Sequence, residues 1–111
     1  MAIENSKIID AISINDSDEV VLTITDHLDW KDENTHLFLL QEKINTYLQF
    51  IESEEIYDSY PKASGRKIII QVVSQFPITD SASNFITSAK LVIKDAGFEL
   101  RQKLFEEIQQ H

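Results

Sequence analysis

The sequence predicts an α+β domain with element order β-β-α-β-α-β: a mixed four-stranded sheet with two helices on one face. Three observations predict it. Residues 67–76 (Lys-Ile-Ile-Ile-Gln-Val-Val-Ser-Gln-Phe) are apolar at both parities, the pattern of a central strand covered on both sides for part of its length. Leu37, Leu40, Ile44, Leu48 and Ile51 recur at three- and four-residue steps, which marks a long amphipathic helix ahead of that strand. A second helical pattern ends at Gly97, and an apolar stretch resumes at Phe98; a strand–helix–strand unit with short links returns a parallel neighbour. At 111 residues the whole chain, 1–111, reads as one domain, with fraying expected at 1–6 and 105–111.

Taken in order, residues 8–14 place Ile8, Ile12 and Ile14 on one side of an extended segment. Asp10 interrupts that side, as suits an edge strand. Residues 19–25 alternate well and are rich in β-branched side chains, with Val20, Leu22 and Ile24 facing the core. Asn15-Asp-Ser-Asp18 between them is built of turn residues, so the two strands form a hairpin. A polar connection, 26–36, leads to a helix over 33–53, with Asp29 or Asp32 as N-cap. Residues 54–62 carry two tyrosines and Pro61, and Ala63-Ser-Gly65 is a turn. The strong strand ends by Pro77. Asp80 or Ser81 caps the second helix, which turns Phe85, Ala89, Val92, Ile93 and Ala96 inward and stops at Gly97. The tail from Phe98 fits either period; a strand over 98–104 completes the parallel unit.

Composition excludes several functional classes. With no cysteine there is no disulfide framework, thiolate zinc site, iron–sulfur cluster or cysteine nucleophile. A formal charge of -9 repels phosphates, so neither nucleic acid nor an anionic membrane surface is an expected partner. The longest apolar run is Leu37-Phe-Leu-Leu40, far short of the roughly 20 residues that span a bilayer. The first residues lack a basic stretch followed by an apolar core, and the expected compartment is the cytoplasm. Two glycines leave no phosphate-cradling loop, Gly-x-Ser-x-Gly is missing, and no cofactor is expected.

Chemistry-bearing residues concentrate in one loop. Asp26, His27, Asp29, Asp32, Glu33 and His36 lie within eleven residues. Imidazole with carboxylate is a transition-metal ligand set, so His27, Asp29, Asp32 and His36 are the candidate metal ligands. The competing reading has the acids capping a helix and the histidines holding a loop. Trp30 in the same loop either folds back as a lid or anchors a partner. On the long helix, Leu39 and Phe50 fall on a flank outside the main stripe; a helix apolar beyond one stripe is covered twice or meets a partner. Charge is uneven: residues 1–60 carry 14 acids and 3 bases, residues 61–111 carry 5 acids and 7 bases. Asp26 and Asp29 belong to the acidic half, whose field would draw a basic partner.

The segments Asp26-His-Leu-Asp-Trp30, Leu40-Gln-Glu-Lys43, Tyr60-Pro61, Gly65-Arg66 and Ala96-Gly-Phe-Glu-Leu100 occur in order. In these the chain resembles a family of small acidic bacterial proteins, a domain of unknown function. The resemblance covers most of the chain and implies no activity.

The expected function is that of a non-enzymatic protein-interaction domain, with a protein partner or a second copy (a homodimer) as occupant. The alternatives are a metal-binding protein or small metal-dependent enzyme using the 26–36 loop, and an inhibitor or immunity-type protein masking a basic enzyme.

Overall fold

A computed structural model describes residues 9–105; the expectations for residues 1–6, Ile8 and 106–111 lie outside the described residues. Four strands, β1 (Ala11–Ile14), β2 (Val20–Asp26), β3 (Ile68–Ser74) and β4 (Glu99–Leu104), form one sheet in the order β1-β2-β3-β4. β1 pairs antiparallel with β2, while β2–β3 and β3–β4 are parallel. The long helix α1 (Glu33–Glu52) connects β2 to β3, and α3 (Asp80–Asp95) connects β3 to β4. Because both crossovers step the same way along the sheet, right-handed connection puts both helices on one face.

The residues on that face close the core. Val20, Leu22, Ile24, Ile68, Ile70, Val72 and Leu100 pack with Leu40, Ile44, Tyr47 and Ile51 of α1 and with Ile86 and Ile93 of α3. Each fully buried aliphatic side chain contributes roughly 1.5–3 kcal/mol. β3 is central and buried at both parities; Ile69 and Val73 on its opposite face are buried as well. The tail over 99–104 is strand, in register with β3 from Ile69↔Glu99 to Ser74↔Leu104.

Local chemistry sets the element ends. Asn15 organises the hairpin turn: its Oδ1 accepts from the amides of Ser17 and Glu19 at 3.0 and 2.9 Å. Asp18 takes the left-handed φ of 63° that short polar residues tolerate. Asp32, not Asp29, caps α1, accepting from the Thr35 amide and hydroxyl at 3.3 and 2.8 Å. Thr79, one residue before the expected Asp80, caps α3 by accepting from the Ala82 amide at 3.1 Å. After α3, Gly97 at φ 97° lets its own amide donate to Lys94 O (2.9 Å) and the Phe98 amide to Ile93 O (3.0 Å), the paired bonds that end a helix on a left-handed residue.

Residues 54–62 are more ordered than their composition suggests. They form a short helix, α2 (Glu55–Ser59), followed by a 3-10 turn over Pro61–Ala63, and Ile56 and Ala63 enter the core. The link from α1 turns at Glu54, which holds a left-handed φ of 67° while its amide donates to Ile51 O at 3.1 Å. A side chain with a Cβ is strained there. Glu54→Gly is therefore expected to raise stability by about 0.5–1 kcal/mol in urea unfolding. A less stable variant would mean that the exposed Glu54 side chain makes a contact worth more than the strain.

Candidate functional site

Three polar or apolar features stand out on this frame, and the first is the loop that holds the sequence-predicted residues. Asp26 ends β2 on the helix-bearing face, opposite Ser74 of β3. His36, one turn into α1, points back at it, and both side chains are buried. His36 Nε2 lies 2.6 Å from Asp26 Oδ2, and Nδ1 lies 2.9 Å from the Asp29 carbonyl. A carbonyl oxygen only accepts, so Nδ1 carries a proton and donates it; the proton of the short contact lies between Nε2 and Oδ2. Asp26 Oδ1 accepts from the Leu28 amide at 3.2 Å. The Trp30 indole stacks on the imidazole, with centroids 3.5 Å apart and planes 16° from parallel.

Every ligating atom of the Asp26–His36 pair is thus turned into the fold. Asp32 is spent on capping α1, and Asp29 Oδ1 accepts from the Lys31 amide at 3.2 Å. His27 is half-buried at the end of β2. Among the described residues no group of three or more His, Cys, Asp or Glu side chains is placed to hold a metal ion. His27, Asp29, Asp32 and His36 are not brought together as such a group. Capping and loop closure engage Asp26, Asp29, Asp32 and His36. The cavity beside Asp26, lined by Thr25, Val73, Gln75 and Phe105, has a volume of about 150 Å³, below the roughly 300 Å³ at the lower end of small-molecule sites. The loop residues clamp β2 to α1.

The second feature was missed by sequence reasoning. Lys43 of α1 is fully buried and reaches Asp10, just before β1, at 3.0 Å. Tyr47, one turn on, donates its hydroxyl to Thr23 O at 2.6 Å and accepts from the Asp10 amide at 2.8 Å. The Lys43 ammonium lies 5.7 Å from the Tyr47 ring centroid. Burial pushes the Tyr47 phenol well above its ordinary range. The buried face of α1 is therefore His36, Leu40, Lys43, Ile44, Tyr47 and Ile51, not the purely aliphatic stripe; Leu37 and Leu48 are half-buried. A signal was present: Asp10 on the inward side of a strand wants a cation, and Lys43 recurs with Leu40 and Tyr47 at helical spacing.

The third feature is a groove between α1 and α3. Leu39 and Phe50 do not form it; both are half-buried and pack against the core. On α1 the exposed apolar side chain is Phe38, at 60%. On α3, Val92 is 61% and Leu91 63% exposed, which corrects the inward placement of Val92. The groove is lined by Gln41, Ile44, Asn45 and Leu48 from α1 and by Phe85, Ser88, Ala89, Val92 and Ile93 from α3. No lining side chain is ionisable. Phe38 precedes Gln41 by three positions and so continues the same helix face.

Among the described residues no helix is long and apolar enough to cross a membrane. No curated protein and no solved structure matches the chain. A family model does match, over residues 1–106. The chain belongs to DUF6572, a family of unknown function.

Proposed function

We propose that this protein is a non-enzymatic interaction domain that pairs with a second copy of itself through the groove between α1 and α3. The observation that carries this reading is the groove's lack of charge in a chain of formal charge -9. A second copy brings the same net charge, and like charges brought together repel. Copies meet without like-charge repulsion where neither presents an ionised group. The groove offers such a patch, with an apolar floor and the exposed Val92 and Phe38 to insert into the opposite copy. Interface cores elsewhere are depleted of charge and enriched in aromatic side chains in the same way. A two-fold arrangement would set each copy's Val92 against the other's groove.

Sedimentation velocity over a concentration series tests this. The expected result is reversible assembly to twice the chain mass of 12.8 kDa, tightening as salt screens the acidic flanks. Val92→Asp and Phe38→Asp, both at exposed positions, are expected to stay folded and monomeric. Wild-type protein that sediments as a monomer throughout would overturn the self-pairing reading. Assembly that weakens with salt would point instead to charge-driven contacts outside the groove.

A further inference from the structure

At the opposite end of the sheet from Asp26 and His36, where β3 and β4 begin and α3 ends, lies a pocket of about 630 Å³. Its wall includes Lys67, Lys90, Lys94 and Arg101, four of the ten basic residues in a strongly acidic chain. One acid, Glu99, shares the wall, and Glu19 lies 3.8 Å from Lys67 Nζ and 4.0 Å from Arg101 Nη2. The helix dipole accounts for Lys94, which sits in the last turn of α3. It does not account for the others. Lys90 and Lys94 stand at i and i+4 on one helix face, a like-charge arrangement that weakens a helix, and neither forms an ion pair among the described residues. Glu99 bridges the remaining two cations, with Lys67 Nζ at 2.6 Å and the Arg101 guanidinium on its other oxygen. Arg101 and Lys67 hold the Glu99 carboxyl below its usual range, so it stays ionised and fixes both side chains. Half-buried Phe98 adds an apolar wall.

We propose that this pocket binds a small organic anion carrying two or more phosphate or carboxylate groups. Its volume falls within the roughly 300–1,000 Å³ of small-molecule sites. Lys67 and Arg101 are held in place by Glu99 and Glu19 before the ligand arrives. Lys90 and Lys94 close from the helix side and lose their mutual repulsion when an anion lies between them.

The test is a titration of ¹⁵N-labelled protein with sodium pyrophosphate and, separately, with citrate at low ionic strength. Saturable shifts centred on the amides of Gly97, Phe98 and Arg101 are expected. Lys90→Gln with Lys94→Gln is expected to weaken binding about tenfold or more, while Lys62→Gln with Lys103→Gln leaves it within about twofold. Tighter pyrophosphate than citrate would assign the phosphate class, and the reverse the carboxylate class. Shifts that never saturate, or that survive the Lys90/Lys94 replacement unchanged, would overturn the site.

Discussion

His36→Ala is expected to be among the most destabilising single changes in the molecule, at about 3–5 kcal/mol in urea unfolding. It removes the 2.6 Å contact to Asp26, the bond to the Asp29 carbonyl and the stack under Trp30. It also leaves the Asp26 carboxylate buried at 1% exposure with its partner gone, and an unpaired buried group costs more than the bond it lost. Asp26→Ala should cost somewhat less, since a neutral imidazole is cheaper to strand than a carboxylate. The decisive quantity is the double-mutant cycle. Two groups in one buried contact are expected to couple by about 1–3 kcal/mol. Additive effects would show that His36 and Asp26 act separately, and the clamp between β2 and α1 would then need another explanation.

Lys43→Met is the second large expected loss, about 3 kcal/mol. The ammonium is wholly buried, its partner Asp10 is mostly covered, and Asp10 Oδ2 is already buried without a hydrogen bond. Deleting the cation strands that carboxylate. The informative companion is Lys43→Met with Asp10→Leu, because replacing a buried pair by apolar groups is often neutral, whereas breaking it is costly. The double variant should recover most of the loss. If it is no more stable than Lys43→Met alone, the cost lies in the other contacts of Lys43, including its approach to the Tyr47 ring, and not in the ion pair. Hydrogen exchange gives a local reading of the same point. Protection in β1 should fall first in Lys43→Met, since Lys43 and Tyr47 are what tie the start of that short strand to α1.

Much of the fold was legible because it rests on periodicity. The aliphatic run at 68–73, the alternation at 20–24 and Gly97 after a helical pattern are local signals, and the shared face of the helices follows from the handedness of parallel connections; the strand order was not legible. Residues 54–63 were not legible. The turn at Glu54 uses a left-handed residue where glycine is usual, so no helix stop or start is written there. The buried face of α1 was misread for a related reason. A rule that sends apolar residues inward chooses Leu37 and Leu48, whereas the helix turns Lys43 and His36 inward because Asp10, just before β1, and Asp26, at the end of β2, wait opposite. Those partners are 33 and 10 residues away in sequence, and pairing at such distances is a property of the folded sheet. Likewise, the 26–36 loop announced its chemistry as residue types, but the direction of each lone pair was set by caps and turns. The groove was half visible: surplus apolar residues on α1 were evident, yet which of Phe38, Leu39 and Phe50 stays exposed depends on where α2 and α3 lie.

We propose that copies of this chain meet through the uncharged groove between α1 and α3. The most direct measurement is a concentration series of amide and methyl NMR spectra at physiological salt. Concentration-dependent shifts or broadening are expected, confined to Leu48, Phe85, Ala89, Val92 and their neighbours and abolished by Val92→Asp. Spectra that do not change with concentration, or changes centred on the acidic hairpin at 15–19, would contradict it.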